Sequence, residues 1–220
     1  MAKPLTKKSE LTRLAILDAA TDLFNKKGTR DIHTHHIAAA AGLSPGNLYY
    51  HFRDKEEIVR AIFEKIELYS NGRWESETSH AEENAFYNFL EFFFSQLNSY
   101  RFFFREQAEL IRADAKLATG WRKAHAELSE VWHRAARHWV KLGILIPFES
   151  AEEIDAFINN CWIVAGYSHA YLESRGATRE ARESPPLVAY FLRPYHTAKG
   201  KKLLDSFFND RTESRKSRAR

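Results

Sequence analysis

The segment Thr34–His51 constrains the fold of this 220-residue chain most, because its sequence requires two very short helices in succession. Thr34 can cap the first helix, and Gly42 ends it by adopting the positive φ that a residue with a Cβ atom resists. Ser44-Pro45 then places an N-cap residue before a proline at the first helical position, so the second helix begins at once. The segment predicts a helix-turn-helix, although an ordinary helical hairpin has the same short pattern.

The rest of the chain also predicts helices, because apolar residues recur at helical spacing and strand-like alternation is missing from the sequence. The polar run Asn71–Ser79 predicts a joint between two regions. We therefore expect an all-α protein with an N-terminal three-helix domain that contains the helix-turn-helix, followed by a C-terminal helical domain. The predicted helices cover residues 9–27, 34–41, 45–51, 54–70, 82–99, 101–117, 120–142 and 150–175, and a last helix begins at Pro185-Pro186.

The helix-turn-helix segment carries residues suited to contact with nucleic acid. A helix N-terminus presents unpaired N–H groups to an anion, and Thr34, Ser44 and Lys55 stand at or near three predicted helix starts. The apolar residues of the segment predict an inner seam, and the polar and aromatic residues of the second short helix are left to face outward. The seam residues are Ile37, Ala38, Leu43 and Leu48, and the outward residues are Gly46, Asn47, Tyr49, Tyr50 and His51.

Residues 10–60 resemble the DNA-binding domain of the TetR (tetracycline repressor) family of bacterial regulators. The resemblance is carried by AILDAATDLFNKKG at 15–28 and by IAAAAGLSPGNLYYHFRDKEEI at 37–58, whose core Tyr-x-His-Phe-x-x-Lys-Glu spans Tyr49–Glu56. The run Asp31-Ile32-His33 departs from the hydroxyl-bearing residues that the family usually has there. The resemblance implies an N-terminal DNA-binding domain at 1–60, a linking helix at about 54–70 and a C-terminal effector-binding and dimerisation domain at 61–210.

The resemblance also implies how the helix-turn-helix meets double-stranded DNA. Tyr49 and Lys55 are expected to contact phosphates, and Asn47 is the best candidate to read a base, because Asn can pair with adenine through two hydrogen bonds. His51 lies near the bases or packs at the end of its helix. The implied DNA-binding residues are Thr34, His35, Ser44, Pro45, Gly46, Asn47, Tyr49, Tyr50, His51 and Lys55.

The residues beyond position 60 include 26 of the 30 aromatic residues, more bulk than one helix face needs. These side chains form a core and dimer interface or, as the resemblance implies, line a cavity for a small and largely apolar effector. The pocket candidates are Phe89, Phe93, Phe103, Trp121, His125, Trp132 and Trp162. The candidates for the homodimer interface are Phe157, Cys161, Ala165, Tyr171, Leu187, Tyr190 and Phe191.

The sequence predicts a ligand-responsive homodimeric repressor that binds a palindromic operator; the alternative is a DNA-binding regulator that activates or has no small-molecule effector. We expect no enzyme activity and no cofactor, because neither an HExxH motif nor a glycine-rich phosphate loop is present. His33, His35 and His36 are not spaced to converge on one metal ion. No signal peptide or membrane span is evident, and the single Cys161 fits a cytoplasmic protein that joins the nucleoid when bound to its operator. The arginine-rich residues 211–220 predict a disordered tail.

Overall fold

The computed structural model describes residues 6–78, 92–177 and 186–218. Regular structure within these ranges is helical, apart from one isolated antiparallel β-bridge between Leu145 and His196. This confirms the all-α prediction. The chain divides into two compact units: the first contains the described residues up to Tyr69 together with Tyr100–Arg122, and the second contains those from Ser70 to Ser99 and from Lys123 onward.

The first unit is built from the N-terminal helices, one helix from later in the chain and the start of the next. The side chains of Phe24, Leu48, Ile62 and Phe102 are among those fully buried in it. Its helices are α1 (Lys7–Lys27), α2 (Thr34–Ala40), α3 (Pro45–His51), the first part of α4 (Lys55–Thr78), α6 (Arg101–Ala113) and the start of α7 (Ala115–Lys141). Helical residues 92–99, which belong to the second unit, are numbered α5.

The second unit packs aromatic side chains between its helices. Trp132, Trp139, Phe157 and Phe207 are buried in this core. Its elements are α5, the rest of α7, α8 (Ala151–Ser174), α9 (Pro186–Leu192), a short 3-10 turn (Arg193–Tyr195) and α10 (Ala198–Arg218). Among the described helices, none combines the length and the apolar character that crossing a membrane requires.

Three predicted boundaries are wrong. The fourth helix is expected to end at about residue 70, but α4 continues to Thr78, because the single glycine in that run is tolerated within a helix. The break between the two middle helices falls at Asp114, not near Leu117, since Asp114 Oδ1 accepts the N–H groups of Lys116 (2.9 Å) and Leu117 (3.2 Å). Residues 211–218 continue α10 instead of forming a disordered tail, because that stretch holds good helix formers and neither glycine nor proline.

The segments 142–146 and 193–200 meet closely in the second unit, and we call this contact the clasp. Two hydrogen bonds make its β-bridge: the Thr197 N–H donates to Ile144 O (3.0 Å), and the Ile146 N–H donates to Tyr195 O (2.9 Å). Gly200 approaches so closely that an added Cβ would lie 2.1 Å from Ile144 O. The clasp therefore joins the end of α7 to the start of α10 at a position where no larger residue fits.

Candidate nucleic-acid interface

The turn between α2 and α3 has the geometry that the sequence predicts. Gly42 adopts φ +68°, and the Leu43 N–H donates to Ala38 O (2.9 Å), which closes the end of α2. Ser44 Oγ accepts the Asn47 N–H (3.2 Å) and so caps α3, with Pro45 at the first helical position. Both short helices are thus fixed by local signals that the sequence displays.

One side of α3 is buried and the other is open. Leu48 is fully buried, as are Ile37 and Ala38 of α2, which confirms these three as inner-seam residues. The opposite side, which we call the outer face of α3, consists of Pro45, Gly46, Asn47, Tyr49 and Tyr50. All five are exposed, and Tyr50 is 77% exposed. Two large aromatic side chains in solvent beside an exposed amide form a surface suited to contact rather than to the core of this chain.

Thr34 lies at the first position of α2, not at its cap as predicted, because His33 occupies the cap. The Thr34 hydroxyl instead shares a hydrogen bond with the Tyr49 hydroxyl (2.9 Å), which joins α2 to α3 on the exposed side. The His33 N–H donates to His36 Nδ1 (3.1 Å). Two hydroxyl groups are therefore held together where the resemblance implies phosphate contact.

The imidazole rings of His33, His35 and His36 cluster at the start of α2, with centroids 3.9 Å apart for the last two. Desolvation and then the two neighbouring histidines lower the pKa of His36, which keeps its Nδ1 available as an acceptor. Across the described residues, no group of three or more His, Cys, Asp or Glu side chains could hold a metal ion.

Lys55 begins α4, where Asp54 Oδ1 accepts the Glu57 N–H (2.6 Å) as the cap. The Lys55 ammonium donates to Thr29 O (2.7 Å) in the loop between α1 and α2. An ammonium has three protons to donate, so two remain for an anion at the helix start. Lys55 is half-buried, and its head is held at the edge of the helix-turn-helix.

Arg13 of α1 secures the other end of α3. Its Nη1 donates to His51 O (3.1 Å), and its guanidinium lies 4.1 Å from the centre of the Phe52 ring. Burial and then Arg13 lower the pKa of His51, so its half-buried imidazole is neutral at pH 7. Sequence reasoning missed Arg13, because its partner is a backbone carbonyl 38 positions away.

Comparison with known proteins shows to which family this chain belongs. A model described as "Bacterial transcriptional repressor", TetR, matches residues 73–204, and a second, "Bacterial regulatory proteins, tetR family", matches residues 16–62. The chain belongs to the TetR family. It is accordingly a transcriptional regulator of a DNA-binding repressor family, as the sequence predicts.

Curated relatives match a short stretch of this TetR-family chain. The regulator AcrR of Shigella flexneri is 37% identical over 67 residues, which cover 30% of this chain and 31% of that protein. UidR of Escherichia coli K12 is 39% identical over 51 residues, covering 23% of this chain and 26% of that protein. The matches thus span less than a third of these relatives.

Solved structures match over most of the chain. A TetR-family regulator from Marinobacter aquaeolei VT8 is 30% identical with a TM-score of 0.74, covering 90% of this chain and 98% of that one. SmeT in its complex with triclosan is 21% identical with a TM-score of 0.57, and the match covers 86% of this chain and 93% of that one. The SmeT comparison shows a shared fold.

The predicted pocket residues fall into two groups. In the second unit, the Trp162 ring packs against three other rings, and we call the four residues the aromatic cluster. The distances from the Trp162 ring centroid are 5.5 Å to Trp132, 5.7 Å to His125 and 6.0 Å to Phe93. Phe103 and Trp121 instead pack with Phe63 in the first unit, so the structure does not bring them into this cluster. Phe89 lies outside the described residues.

The second unit also buries polar atoms that lack partners. Trp162 Nε1, Gln96 Oε1 and His138 Nε2 are shielded from solvent and form no hydrogen bond with the part of the chain that the structure describes. A buried polar group without a partner is costly, so each of these atoms requires an explanation. Sequence reasoning missed Gln96 and His138, because whether a buried side chain finds a hydrogen-bond partner depends on its neighbours in the folded chain.

The predicted dimer residues need correction on α8. Phe157, Cys161 and Ala165 are buried within their own unit, so they are not available to a second subunit. Burial raises the pKa of the Cys161 thiol to about 12. Phe191 is half-buried beside the ring of Phe157. The sequence pattern therefore places the interface on the inward side of α8 instead of its outward side, because both sides of this helix carry apolar residues.

The outward side of α8 carries a stripe of exposed large residues spaced four apart. These are Ile163 (57% exposed), Tyr167 (48%) and Tyr171 (50%), which we call the α8 stripe. Tyr171 was predicted for the interface, whereas Ile163 and Tyr167 were missed. The other two predicted residues, Leu187 and Tyr190 of α9, are also exposed. The spacing of four, on the side of α8 opposite its buried residues, was the signal that could have identified the stripe.

Proposed function

We propose that this TetR-family regulator binds a palindromic operator as a homodimer and releases it when an apolar effector binds the second unit. The outer face of α3 is the observation that carries the DNA-binding part. It presents Asn47 and two exposed tyrosines on a helix whose ends are fixed by Ser44 and Arg13. A short helix with fixed ends and a polar outer face fits the major groove of DNA.

The contacts divide into those that position the protein and those that read bases. The Tyr49 and Thr34 hydroxyls and the Lys55 ammonium are suited to phosphate oxygens, which carry no sequence information. The Asn47 side chain is suited to a base edge, with Pro45 and Gly46 beside it. Ser44, His35, Tyr50 and His51 complete the proposed interface. Because α3 can reach only a few bases, two copies related by a two-fold axis would read a palindrome in successive major grooves.

We predict different losses for Lys55→Ala and Asn47→Ala. Lys55→Ala should weaken binding equally across sequences and reduce the slope of log affinity against log salt by about 1 for each half-site, because each subunit loses one phosphate contact. Asn47→Ala should cost about 1–3 kcal/mol at the base it reads and relax the preference there. Binding selections on randomised operators and salt titrations measure both effects.

The control for this pair is Lys116→Ala, which removes an exposed lysine of α7 outside the helix-turn-helix. It should leave both the affinity and the salt slope near those of the parent protein. An operator-specific loss from Lys55→Ala would contradict the phosphate role. An unchanged base preference after Asn47→Ala would remove Asn47 from the base-reading residues.

The aromatic cluster supports an effector site in the second unit. Its four rings offer flat apolar contact, and the buried Trp162 Nε1–H has no acceptor among the described residues. A small aromatic molecule with a hydrogen-bond acceptor would satisfy that group. SmeT, which has the same fold, forms a complex with triclosan, a molecule of this class. Release of DNA requires that the effector bind the free protein more tightly than the DNA-bound one.

Triclosan is the probe for the effector site. We expect saturating triclosan to weaken operator binding about 5- to 150-fold, the range that typical coupling energies give. Trp162→Phe keeps an aromatic ring but loses the N–H donor, so it should weaken triclosan binding. Trp121→Phe in the first unit should not. Fluorescence anisotropy of labelled operator measures the release, and calorimetry measures triclosan binding. Unchanged operator affinity with triclosan and other apolar aromatic compounds would favour a regulator without a small-molecule effector.

A further inference from the structure

Glu106 of α6 binds the loop between α1 and α2 through two hydrogen bonds. Its Oε2 accepts the Thr29 N–H (2.9 Å) and the Thr29 hydroxyl (2.6 Å), although the two residues are 77 positions apart. Its Oε1 accepts from Arg105 Nη2 (2.8 Å). Thr29 is only 8% exposed. Charge-assisted hydrogen bonds at a half-buried carboxylate are among the strong ones, so Thr29 is firmly fixed to α6.

The same Thr29 holds Lys55. Its carbonyl oxygen accepts from the Lys55 ammonium (2.7 Å), so a continuous series of hydrogen bonds runs from Glu106 through Thr29 to Lys55. Thr29 follows Gly28, which adopts φ +78° at the end of α1, and lies in a loop outside any helix. Helical hydrogen bonds therefore do not fix the position of its carbonyl, and the contact with Glu106 does.

A lysine side chain is long and flexible, and it loses rotamer freedom when its ammonium is held at a phosphate. A fixed carbonyl acceptor removes much of that freedom before DNA arrives, which lowers the entropic cost of the contact. We propose that Glu106 is a positioning residue for DNA binding: it fixes Thr29, whose carbonyl oxygen holds the Lys55 ammonium at the start of α4. This inference rests on the phosphate role of Lys55 in the proposed function.

The test is a double-mutant cycle of Glu106→Ala and Lys55→Ala, read out as operator affinity of the full-length protein. Glu106→Ala should weaken binding about three- to tenfold, since one side chain must then be ordered on binding. In the Lys55→Ala background it should have no further effect, because the group that it positions is gone. A general loss of structure would instead weaken binding in both backgrounds.

Glu109→Ala is the matched control, because Glu109 is an exposed acid on the same helix. Both substitutions remove one negative charge, so long-range electrostatics alone would strengthen binding to DNA in both. We expect Glu109→Ala to leave affinity unchanged or slightly increased, and Glu106→Ala to lower it. Thr29→Val, which removes only the hydroxyl donor, should give a smaller loss in the same direction. It serves as the test if Glu106→Ala does not fold.

The outcomes separate the inference from the function on which it rests. If Lys55→Ala leaves operator affinity and salt slope unchanged, the proposed phosphate role of Lys55 fails. If Lys55→Ala weakens binding and neither Glu106→Ala nor Thr29→Val does, the positioning role alone is overturned. Equal losses from Glu106→Ala with and without Lys55 would also overturn it.

Discussion

If the α8 stripe is the interface of the proposed homodimer, the double substitution Ile163→Glu/Tyr167→Glu is expected to make the regulator monomeric. Operator affinity should then fall about 100-fold or more, because the avidity of two linked half-sites is lost. Both residues belong to the α8 stripe, whose large side chains are about half exposed, and an exposed apolar patch marks an interaction site. In a two-fold interface each substitution occurs twice, so four carboxylates would be buried or forced together without partners. Analytical ultracentrifugation measures the assembly, and fluorescence anisotropy measures the affinity.

Ile146→Glu is the control for this prediction. It places a carboxylate at another partly exposed apolar position of the second unit, outside the α8 stripe. We expect a dimer with the affinity of the parent protein. If the double variant stayed dimeric with full affinity, the α8 stripe would not be the interface, and the exposed Tyr190 of α9 would be the next candidate.

Gly200→Ala is expected to destabilise the second unit by about 3 kcal/mol or more, the upper end of what overpacking costs. The added Cβ would lie 2.1 Å from Ile144 O and 2.9 Å from His196 Cδ2. The first of these is a backbone atom held by the clasp, so it cannot rotate away as a flexible side chain could. Urea denaturation of the full-length protein measures the loss, with tryptophan fluorescence as the signal, because four of the five tryptophans belong to this unit.

Gly166→Ala provides the comparison within the same unit. Gly166 lies within α8, and its added Cβ would meet nothing within 4 Å. Alanine should therefore stabilise the helix by about 0.5–1 kcal/mol, because it loses less conformational freedom on folding. Equal stability of the Gly200→Ala and Gly166→Ala variants would mean that the start of α10 does not pack against Ile144 as described.

Sequence reasoning predicts the helix-turn-helix to within one residue, because its signals act over a few positions. Gly42 must end one helix, and Ser44-Pro45 must start the next. The same holds for α8, which Ser150 caps by accepting the Glu153 N–H (3.2 Å). Where such signals are absent, as at residues 71–78, helix propensity alone did not reveal that α4 continues.

The residues that support the site from a distance could not be predicted. Arg13 binds a backbone carbonyl of α3, and Glu106 binds a threonine 77 positions away. No local pattern distinguishes either from an ordinary surface charge. The two faces of α8 pose a similar problem. Phe157 and Tyr167 are both aromatic, and only the packing of the rest of the fold buries the first and leaves the second exposed.

The buried thiol of Cys161 makes the protein convenient for spectroscopic labelling. It is the one cysteine in the sequence, and its pKa of about 12 keeps it protonated at neutral pH. Since the thiolate is the form that reacts with maleimides and spin labels, the native protein offers them little to attack. A cysteine introduced on an exposed position of α3 or α8 can then carry a probe selectively, and distances between two such probes in solution become measurable without first removing the natural residue.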